Sequence, residues 1–518
     1  MAAIAGDVAS TTSAPAGPAL RAGVGLVAGL TGLGAGQLLA AFIEPESSPP
    51  LAVGAAVVDL TPEPVKQWAI STFGSGDKLF LMLVVALVAA VLPAVAGLVS
   101  RWSPRPGSIV LGVLGGTCAI AALTRPVATF MSALPSAAAA IVAIVVLRRL
   151  LEVRARMADS VGEEHLLSRR RFLRLASAAA VLGAASAATG QWIISTAQRA
   201  ATIVLPKPAM PLPPLPEGLE SQIDGISSFR TPNDEFYRVD TALTVPAVDV
   251  NDWRLEIDGD VDTPLTLTFD DLLTYEVIER DITMTCVSNE VGGPYVGSAR
   301  WLGVRTSDIL AEVGIGSTVD QILSTDVDGM TISTPVQALT DDREALLAFA
   351  MNGEQLPRQH GFPVRLVTPG LYGFVGSTKW VTRLTATTYA KQSAYWTDRD
   401  WDTDSPVLTA ARIDTPQGQD SLEAGQPSHI GGVAWAQGKG ITRVEVRVDS
   451  EPWQEATLGP DAGIDYWRQW YVEWTPAKGS HNLQVRATDE SGQTQTSTEV
   501  PSFPGGATGW HTIVVTAD

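Results

Sequence analysis

Five long apolar stretches in the first two hundred residues constrain the fold most strongly. Each is near the length that an α-helix needs to cross a hydrocarbon core about 30 Å thick. The mean hydropathy of +0.15 is also too high for an ordinary soluble protein. The sequence therefore predicts a membrane region over residues 1–200, with transmembrane helices at 20–43, 77–100, 107–124, 132–147 and 175–197.

The charges between these stretches predict an orientation. Arginines precede the first stretch, follow the second, and are densest between the fourth and the fifth, whereas the loop 44–76 is mostly acidic. Lys and Arg accumulate on the cytoplasmic side of membrane proteins. Five crossings with the N-terminus inside satisfy this pattern, and they place the chain after about residue 198 outside the cytoplasmic membrane.

A second signal precedes the last apolar stretch. Segment 168–174 reads SRRRFLR and leads into an Ala-rich run, which resembles a twin-arginine export motif. The alternative is that these arginines are only positive-inside charge. Twin-arginine export carries domains that fold in the cytoplasm, commonly around a cofactor, so this motif predicts a complex prosthetic group in the C-terminal region.

The remaining sequence predicts a linker and two globular domains. A Pro-rich linker at 201–219 favours an extended, semi-rigid spacer. Residues 220–400 mix strand-like runs at 254–257 and 364–367 with a helical pattern at 307–313, which indicates an α+β domain. Residues 405–518 show short strands divided by turn residues, as at 442–448, 466–474 and 481–487, and predict an immunoglobulin-like β-sandwich without the cysteine pair of antibody domains.

Charge and cysteine content exclude several classes of function. A net charge of −19 argues against a nucleic-acid partner, which clustered Lys and Arg would bind. The two cysteines, Cys118 in an apolar run and Cys286 far downstream, exclude a disulfide framework. A lone cysteine is most often a small buried hydrophobe. Cys286, however, ends the strand-like run TMTC before a polar, Gly-rich loop, so the sequence predicts a thiol at a cleft.

A single thiolate limits the kind of metal site. Zinc and iron–sulfur sites need three or four protein ligands, so Cys286 suits a metal whose other ligands come from a cofactor. A second polar segment, 351–380, has glycines for close backbone approach, and Ser377, Arg365 and Lys379 are suited to binding a phosphate. The alternative for this segment is a set of turn-rich core strands with Arg and Lys on the surface.

These segments together resemble the molybdopterin-binding core of the sulfite oxidase family. The resemblance covers about residues 225–390 and is carried by Cys286, by MNG at 351–353 with LP at 356–357, by HGFPVR at 360–365, and by Lys379 with Trp380. HGFPVR is the most specific of these motifs. The last domain resembles the family's immunoglobulin-like dimerisation domain more weakly, which implies a homodimer, although burial of its strands within one chain explains them equally well.

The resemblance implies a molybdenum-cofactor-dependent oxidoreductase that carries out two-electron oxo-transfer on a small oxyanion or a sulfoxide-type substrate. Cys286 would be the catalytic residue and the thiolate on molybdenum, beside the two dithiolene sulfurs of the pterin. The residues implied to bind the cofactor are Asn233, Phe236, Tyr237, Asp328, His360, Arg365, Ser377 and Lys379. Short gaps affect the placement of Asn233, Asp328 and Ser377 most.

The sequence departs from the family in two places. Sulfite-oxidising members follow the cysteine with an Asn and two arginines, but here Asn289 is followed by Glu290 and Val291, which weakens the case for sulfite unless Arg300 or Arg305 folds into the cleft. No N-terminal haem domain is recognised and no histidine lies in a predicted membrane helix, so no haem is expected. Electrons would pass to a separate cytochrome or quinone-linked protein. The alternative function is an envelope-tethered binding module that keeps the fold without a metal.

Overall fold

A computed structural model describes residues 17–73, 76–160, 163–197, 202–418 and 420–518. The chain divides into two compact units, residues 1–199 with 242–244, and residues 200–241 with 245–518. The first unit is helical, and the second contains both globular domains.

The helical unit has a helix at each of the five positions that hydropathy predicts. Its helices are α1 (Pro18–Ile43), α2 (Pro49–Leu60), α3 (Glu63–Phe73), α4 (Asp77–Val99), α5 (Pro104–Leu123), α6 (Leu134–Asp159) and α7 (Glu163–Ala197). Five helical segments are long and apolar enough to cross a membrane: Pro18–Ile43, Asp77–Val99, Pro104–Leu123, Phe130–Met157 and Glu163–Ser195. The region predicted as the loop 44–76 differs, because it contains the two short helices α2 and α3.

Helix α7 begins earlier than the apolar stretch indicates. The arginine segment 168–174 is helical and continuous with the apolar run that follows it. His165, which the sequence placed outside the membrane helices, therefore lies in the first turn of this helix, where its Nδ1 contacts the Met157 carbonyl at 3.0 Å.

Glycines allow the helices of this unit to pack backbone against backbone. A Cβ at Gly97 of α4 would lie 2.0 Å from the carbonyl oxygen of Arg21 in α1, and a Cβ at Gly34 of α1 would lie 2.1 Å from the carbonyl oxygen of Gly183 in α7. Such contacts are typical of helices that associate in lipid, where small residues permit close approach.

The α+β domain contains two sheets. The first has the order β2-β1-β10-β5-β6, and the second has the order β3-β4-β7-β8, with β9 also paired to β7. The strands are β1 (Arg254–Gly259), β2 (Leu265–Thr268), β3 (Val277–Thr285), β4 (Val296–Arg305), β5 (Gln321–Asp326), β6 (Thr331–Pro335), β7 (Leu346–Met351), β8 (Glu354–Gln355), β9 (Arg365–Val367) and β10 (Val381–Thr387). The helices are α8 (Phe269–Leu272), α9 (Thr306–Val313), α10 (Val336–Thr340) and α11 (Gly373–Gly376). Helix α9 packs one apolar face into the core between the sheets, which explains its helical hydrophobic pattern.

The C-terminal domain is built from two further sheets around a common core. Their orders are β11-β13-β17-β16 and β12-β19-β18-β14-β15. The strands are β11 (Ala410–Thr415), β12 (Ser421–Leu422), β13 (Ser428–Trp435), β14 (Ile441–Val448), β15 (Gln454–Glu455), β16 (Thr457–Leu458), β17 (Arg468–Trp474), β18 (Gly479–Asp489) and β19 (His511–Ala517). Inward-facing side chains from both sheets form one buried cluster, including Ile430, Val444, Trp470 and Val485. An immunoglobulin-like topology for these sheets stays a prediction.

The two globular domains share a buried cluster. Phe229, Val287 and Phe374 of the α+β domain pack with Trp435 and Trp467 of the C-terminal domain. The Trp467 indole N–H also donates a 2.8 Å hydrogen bond to the carbonyl of Phe229. The second unit is therefore one continuous body across this domain boundary.

Candidate cofactor site

Cys286 is the first residue of the loop that connects β3 to β4. Its backbone N–H donates to the carbonyl of Tyr295 at 2.9 Å, and its own carbonyl accepts the N–H of Asn289 at 3.0 Å. The Asn289 side chain closes the loop, because its Oδ1 accepts the N–H of Tyr295 at 2.8 Å. The Cys286 backbone is therefore held in place by the loop itself, and Asn289 acts as a structural clamp.

The thiol of Cys286 is buried, with 9% of the residue exposed. Burial raises its pKa, while hydrogen bonds from the N–H and hydroxyl of Ser288 and the charge of Lys379 act in the opposite direction. Burial thus favours the protonated form of a free thiol, while Ser288 and Lys379 favour the thiolate. A metal ion would complete this stabilisation, since metal ligation requires the deprotonated sulfur.

An aromatic wall lies beside the thiol. The ring of Phe236 stacks on Tyr237 at 5.3 Å and meets Trp301 and His360 edge-to-face at 5.9 and 5.5 Å. Burial raises the pKa of Tyr237, and the charge of a Cys286 thiolate raises it further. Phe236, Tyr237 and His360 therefore meet although their segments are more than a hundred residues apart, and Tyr237 lies within electrostatic reach of Cys286.

His360 presents an open hydrogen-bonding atom to this site. Its Nε2 lies 3.0 Å from the carbonyl oxygen of Asn233, and because a carbonyl only accepts, Nε2 carries the proton. Burial and the charge of Arg365 lower the pKa of His360 to about 4, so the ring is neutral near pH 7. Its Nδ1 is then an acceptor, and it is buried without a partner among the described residues.

Arg365 is a buried cation with an unused donor. Only 4% of the residue is exposed, its Nη1 donates to the carbonyl of His360 at 3.0 Å, and its guanidinium lies 5.1 Å from the Trp301 ring centre. Burial lowers the pKa of Arg365 to about 10, which still leaves it charged. Within the described chain its Nε has no partner, so it remains available to an anion or a polar ring.

Lys379 lies close enough to Arg365 for the two charges to repel. Its ammonium pairs with Asp240 at 2.9 Å, and both side chains are largely buried. Burial lowers the pKa of Lys379 to about 8 and Arg365 lowers it as well, although Asp240 opposes this effect. Asp240 also pairs with Arg238 at 2.8 Å. The single carboxylate of Asp240 thus pairs with both Lys379 and Arg238, so the three groups together keep a positive charge that can attract a phosphate.

Gly361 lets these groups converge. Its φ of +116° is in the left-handed region that favours glycine. A Cβ at this position would lie 2.9 Å from the Arg365 Cβ and 3.1 Å from the Lys379 Cα. The glycine of the HGFPVR motif is therefore required by both its backbone conformation and the close approach of its neighbours.

Three predicted cofactor-binding residues have surroundings that differ from those of His360, namely Asn233, Ser377 and Asp328. The Asn233 Oδ1 accepts a hydrogen bond from the Asn352 amide at 2.9 Å, and its Nδ2 donates to the Met351 carbonyl at 3.2 Å. Asn233 contacts His360 through its backbone carbonyl. Ser377 follows α11, and its N–H donates to the carbonyl of Gly373 at 3.0 Å. The side chains of these two residues stay predicted ligands without a contact that tests them.

Asp328 lies in the turn between β5 and β6. The residue before it, Val327, connects this turn to the site, because its N–H donates to the Trp380 carbonyl at 3.1 Å. The buried acid of this turn is Asp326, which accepts the N–H of Asp328 at 2.8 Å. Burial, with Asp328 close by, raises the pKa of Asp326 to about 7. The sequence therefore located the turn but did not identify its buried carboxyl group.

These groups fit a molybdopterin. Buried polar atoms without a partner in the described chain include His360 Nδ1, Arg365 Nε and Thr368 Oγ1. An unpartnered acceptor, an unpartnered charged donor and a second cation suit a ligand with hydrogen-bonding ring edges and a phosphate. Cys286 would hold the metal beside them.

Comparison with known proteins identifies the family of this domain. Residues 242–396 match the family model of the oxidoreductase molybdopterin binding domain. The mitochondrial sulfite oxidase of Rattus norvegicus is 31% identical over 325 residues, which cover 53% of this chain and 58% of that protein. This domain belongs to the sulfite oxidase family of molybdopterin oxidoreductases.

A further curated protein and a solved structure are also similar to this chain. Nitrate reductase [NADH] 1 of Oryza sativa subsp. japonica is 28% identical, over 48% of this chain and 34% of that protein. The sulfane dehydrogenase SoxCD of Paracoccus pantotrophus matches with 25% identity and a TM-score of 0.49, over 56% of this chain and 81% of that one. The chain spans less than two thirds of the length of the curated relatives that it matches most strongly.

The departures from the family seen in the sequence have structural counterparts. Arg300 forms a two-pronged ion pair with Asp281 at 2.8 and 2.7 Å. Arg305 pairs with Glu344 at 2.7 Å. The sequence left open whether either arginine supplies positive charge at the cleft, and in the structure both are engaged by carboxylates. Glu290 accepts a 2.7 Å hydrogen bond from the Ser502 hydroxyl.

Proposed function

We propose that this protein is a membrane-anchored molybdenum-cofactor oxidoreductase that transfers an oxo group, with two electrons, to or from a small oxyanion or sulfoxide-type substrate. The observation that carries the proposal is a buried Cys286 thiol within electrostatic reach of Lys379 and Tyr237, in a domain where His360 Nδ1 and Arg365 Nε are buried and unpartnered among the described residues. The cofactor supplies the redox chemistry when bound, and the protein binds and orients it. Electrons would be exchanged with a separate cytochrome or quinone-linked protein.

The chain's own residues have distinct tasks in this proposal. Cys286 would donate its thiolate to the metal, with Ser288 directing two hydrogen bonds at the sulfur. His360 and Arg365 would fix the pterin, and Lys379 would pair with its phosphate. Because these groups are positioned by contacts within the protein, they need little rearrangement when the cofactor binds.

The charge of the cysteine loop favours a neutral substrate over a dianion. Arg300 and Arg305 are paired with Asp281 and Glu344, and Glu290 adds a negative charge to the cysteine loop. A nearby carboxylate repels sulfite, whereas a sulfoxide carries no net charge. We therefore propose a sulfoxide-type substrate as the better fit.

Steady-state assays of the loaded enzyme test the function and the substrate together. We expect kcat/KM for dimethyl sulfoxide with a reduced viologen donor to exceed that for sulfite with ferricyanide by at least about tenfold. Glu290→Arg should raise the sulfite value and leave the sulfoxide value within about twofold. Preferred turnover of sulfite would contradict the substrate assignment. A protein with full molybdenum and pterin content that acts on neither substrate would contradict the proposed oxo-transfer.

The alternative function is an envelope-tethered binding module without redox activity. It predicts that the purified, full-length chain contains neither molybdenum nor fluorescent pterin. Metal analysis together with pterin fluorescence therefore separates the two hypotheses before any substrate is tested.

We also propose that both globular domains lie outside the cytoplasmic membrane. Residues 1–200 contain 15 basic and 10 acidic side chains, whereas residues 201–518 contain 21 basic and 45 acidic ones. This asymmetry and the arginines in the last turns of α6 and the first turns of α7 support an N-terminus on the inside. An SRRRFLR segment in continuity with a membrane helix supports export by the twin-arginine route.

Reporter fusions test this topology. Alkaline phosphatase, which is active only outside the cytoplasm, should be active when fused after residue 220 and inactive when fused after residue 160. Exchanging Arg169 and Arg170 for lysine should lower export of the full chain at least about tenfold. Activity at residue 160 and inactivity at residue 220 would contradict the orientation, and unchanged export of the lysine variant would contradict the route.

A further inference from the structure

The hairpin that carries Cys286 has two faces with different partners. Side chains alternate between the faces of a strand. On one face, a Cβ at Gly297 would lie 3.0 Å from the Phe236 ring of the cofactor site. On the other face, the Thr283 hydroxyl accepts the N–H of Trp467 at 2.8 Å, and the Thr285 hydroxyl accepts from the Gln437 amide at 3.2 Å. The C-terminal β-sandwich therefore supports the strand that leads to Cys286 from behind.

The same β-sandwich contacts the loop directly after Cys286. The Glu290 carboxylate accepts a hydrogen bond from the Ser502 hydroxyl at 2.7 Å. Gly292, with a φ of +79°, lies flat against the His511 ring, and a Cβ there would be 2.2 Å from the ring Nε2. Two loop residues are thus in contact with residues from a different domain.

Arg412, on strand β11, makes the third contact and connects the most groups. Its Nη1 donates to the Gly293 carbonyl at 2.8 Å, its Nη2 to the Ser227 hydroxyl at 2.8 Å, and its Nε to Asp414 at 2.6 Å. Asp414 in turn accepts the N–H of Ser227 at 2.9 Å. One guanidinium therefore ties the loop, the segment before the α+β domain and the β-sandwich together.

A cavity of about 500 Å³ lies beside these contacts. Its lining includes Ser227, Pro294, Val296, Arg412 and His511. Apart from the contact of Gly292 with His511, the loop is therefore loosely packed on this side, and polar contacts across the domain boundary help to hold it.

We propose that the β-sandwich positions the cysteine loop, and that Arg412 is the positioning residue that keeps the Cys286 thiol in one orientation. The positioning concerns this chain alone. Its consequence for a bound metal rests on the proposed function. The β-sandwich thus has a part in the cofactor site that is independent of whether it also forms a dimer.

Alkylation of the cofactor-free, full-length chain tests the positioning. In a Cys118→Ser background, Cys286 is the one remaining thiol, and its reaction with iodoacetamide reports how often the loop opens. Arg412→Ala should speed alkylation about tenfold, and Arg412→Lys should restore part of the protection. Arg443→Ala is the matched control, because Arg443 lies in the same domain, has a side chain that is 44% exposed, and pairs with Glu445.

A second variant protects the test against misfolding. If Arg412→Ala loses its thermal transition, Ser502→Ala removes a different loop contact, and it should speed alkylation severalfold with the melting temperature preserved. In the loaded enzyme, Arg412→Ala should change the Mo(V) electron paramagnetic resonance spectrum at unchanged molybdenum content. Alkylation at the wild-type rate in folded Arg412→Ala and Ser502→Ala proteins overturns the proposal. A wild-type chain without molybdenum would instead contradict the proposed function, and it would leave the alkylation result valid.

Discussion

Cys286→Ser is expected to abolish turnover, with a loss of at least about a thousandfold, or about 4 kcal/mol of transition-state stabilisation. The physical reason is that a serine hydroxyl is a poor soft donor, so the metal would lose the thiolate that lowers its reduction potential. His360, Arg365 and Lys379 do not depend on this sulfur for their own contacts, so the variant should retain its pterin. Activity with artificial electron donors and acceptors, measured per bound pterin, checks the prediction.

The chain supplies its own control for this experiment. Cys118 lies in helix α5 of the helical unit, so Cys118→Ser should keep full activity per bound pterin. Retained activity in Cys286→Ser would defeat the metal-ligand assignment. Equal losses in both variants would also contradict it, because they would indicate a general sensitivity to cysteine replacement.

Lys379→Ala is expected to lower the molybdenum and pterin content of the purified protein to about a tenth of the wild-type value or less. Hydrogen bonds that involve a charged group contribute about 1.5–3 kcal/mol, which corresponds to a factor of about ten to a hundred in affinity. The Lys379 side chain is 11% exposed, so water replaces its contribution poorly. Burial holds the pKa of Lys379 at about 8, and a bound phosphate should raise it.

Two further variants sharpen this test. Lys379→Arg keeps the positive charge and should restore part of the cofactor content. Lys439→Ala removes a lysine that is 42% exposed and faces Asp489 in the C-terminal domain, so it should leave the cofactor content unchanged. Full loading of Lys379→Ala would contradict the assignment of Lys379 to the cofactor phosphate.

The helical unit was largely predictable because long apolar stretches are a simple signal in a sequence. Apolar stretches of about twenty residues located all five long helices. Their ends were less predictable, since α6 continues to Asp159 and α7 starts at Glu163 in segments rich in Arg and Leu, which are good helix formers in any environment. The short helices α2 and α3 were missed because their length gives no membrane signal.

The site was predictable where a local motif carries it. HGFPVR requires its glycine at Gly361 and brings His360 and Arg365 together within six residues. Other partners were not predictable, because they come from distant parts of the chain. Asp240 lies 139 residues before the Lys379 that it pairs with, and Arg412 lies 119 residues after the Gly293 that it holds.

Two residues of the β3–β4 hairpin, Arg300 and Ser288, show what residue type alone does not predict. The sequence could not place Arg300 relative to the cleft, whereas the pairing register of β3 with β4 brings it opposite Asp281 on the neighbouring strand. Ser288 attracted no attention in the sequence, yet it donates two hydrogen bonds to the Cys286 sulfur because the loop turns back on itself. Both outcomes depend on register and loop closure, which residue type does not encode.

One coordination bond, from the Cys286 sulfur to a molybdenum held by the pterin, is tested most directly by X-ray absorption at the molybdenum edge of the purified, full-length protein. The wild-type protein should show three sulfur neighbours, two from the pterin and one from the polypeptide, and Cys286→Ser should show two. A wild-type spectrum with no molybdenum, or with no third sulfur neighbour, would contradict the assignment.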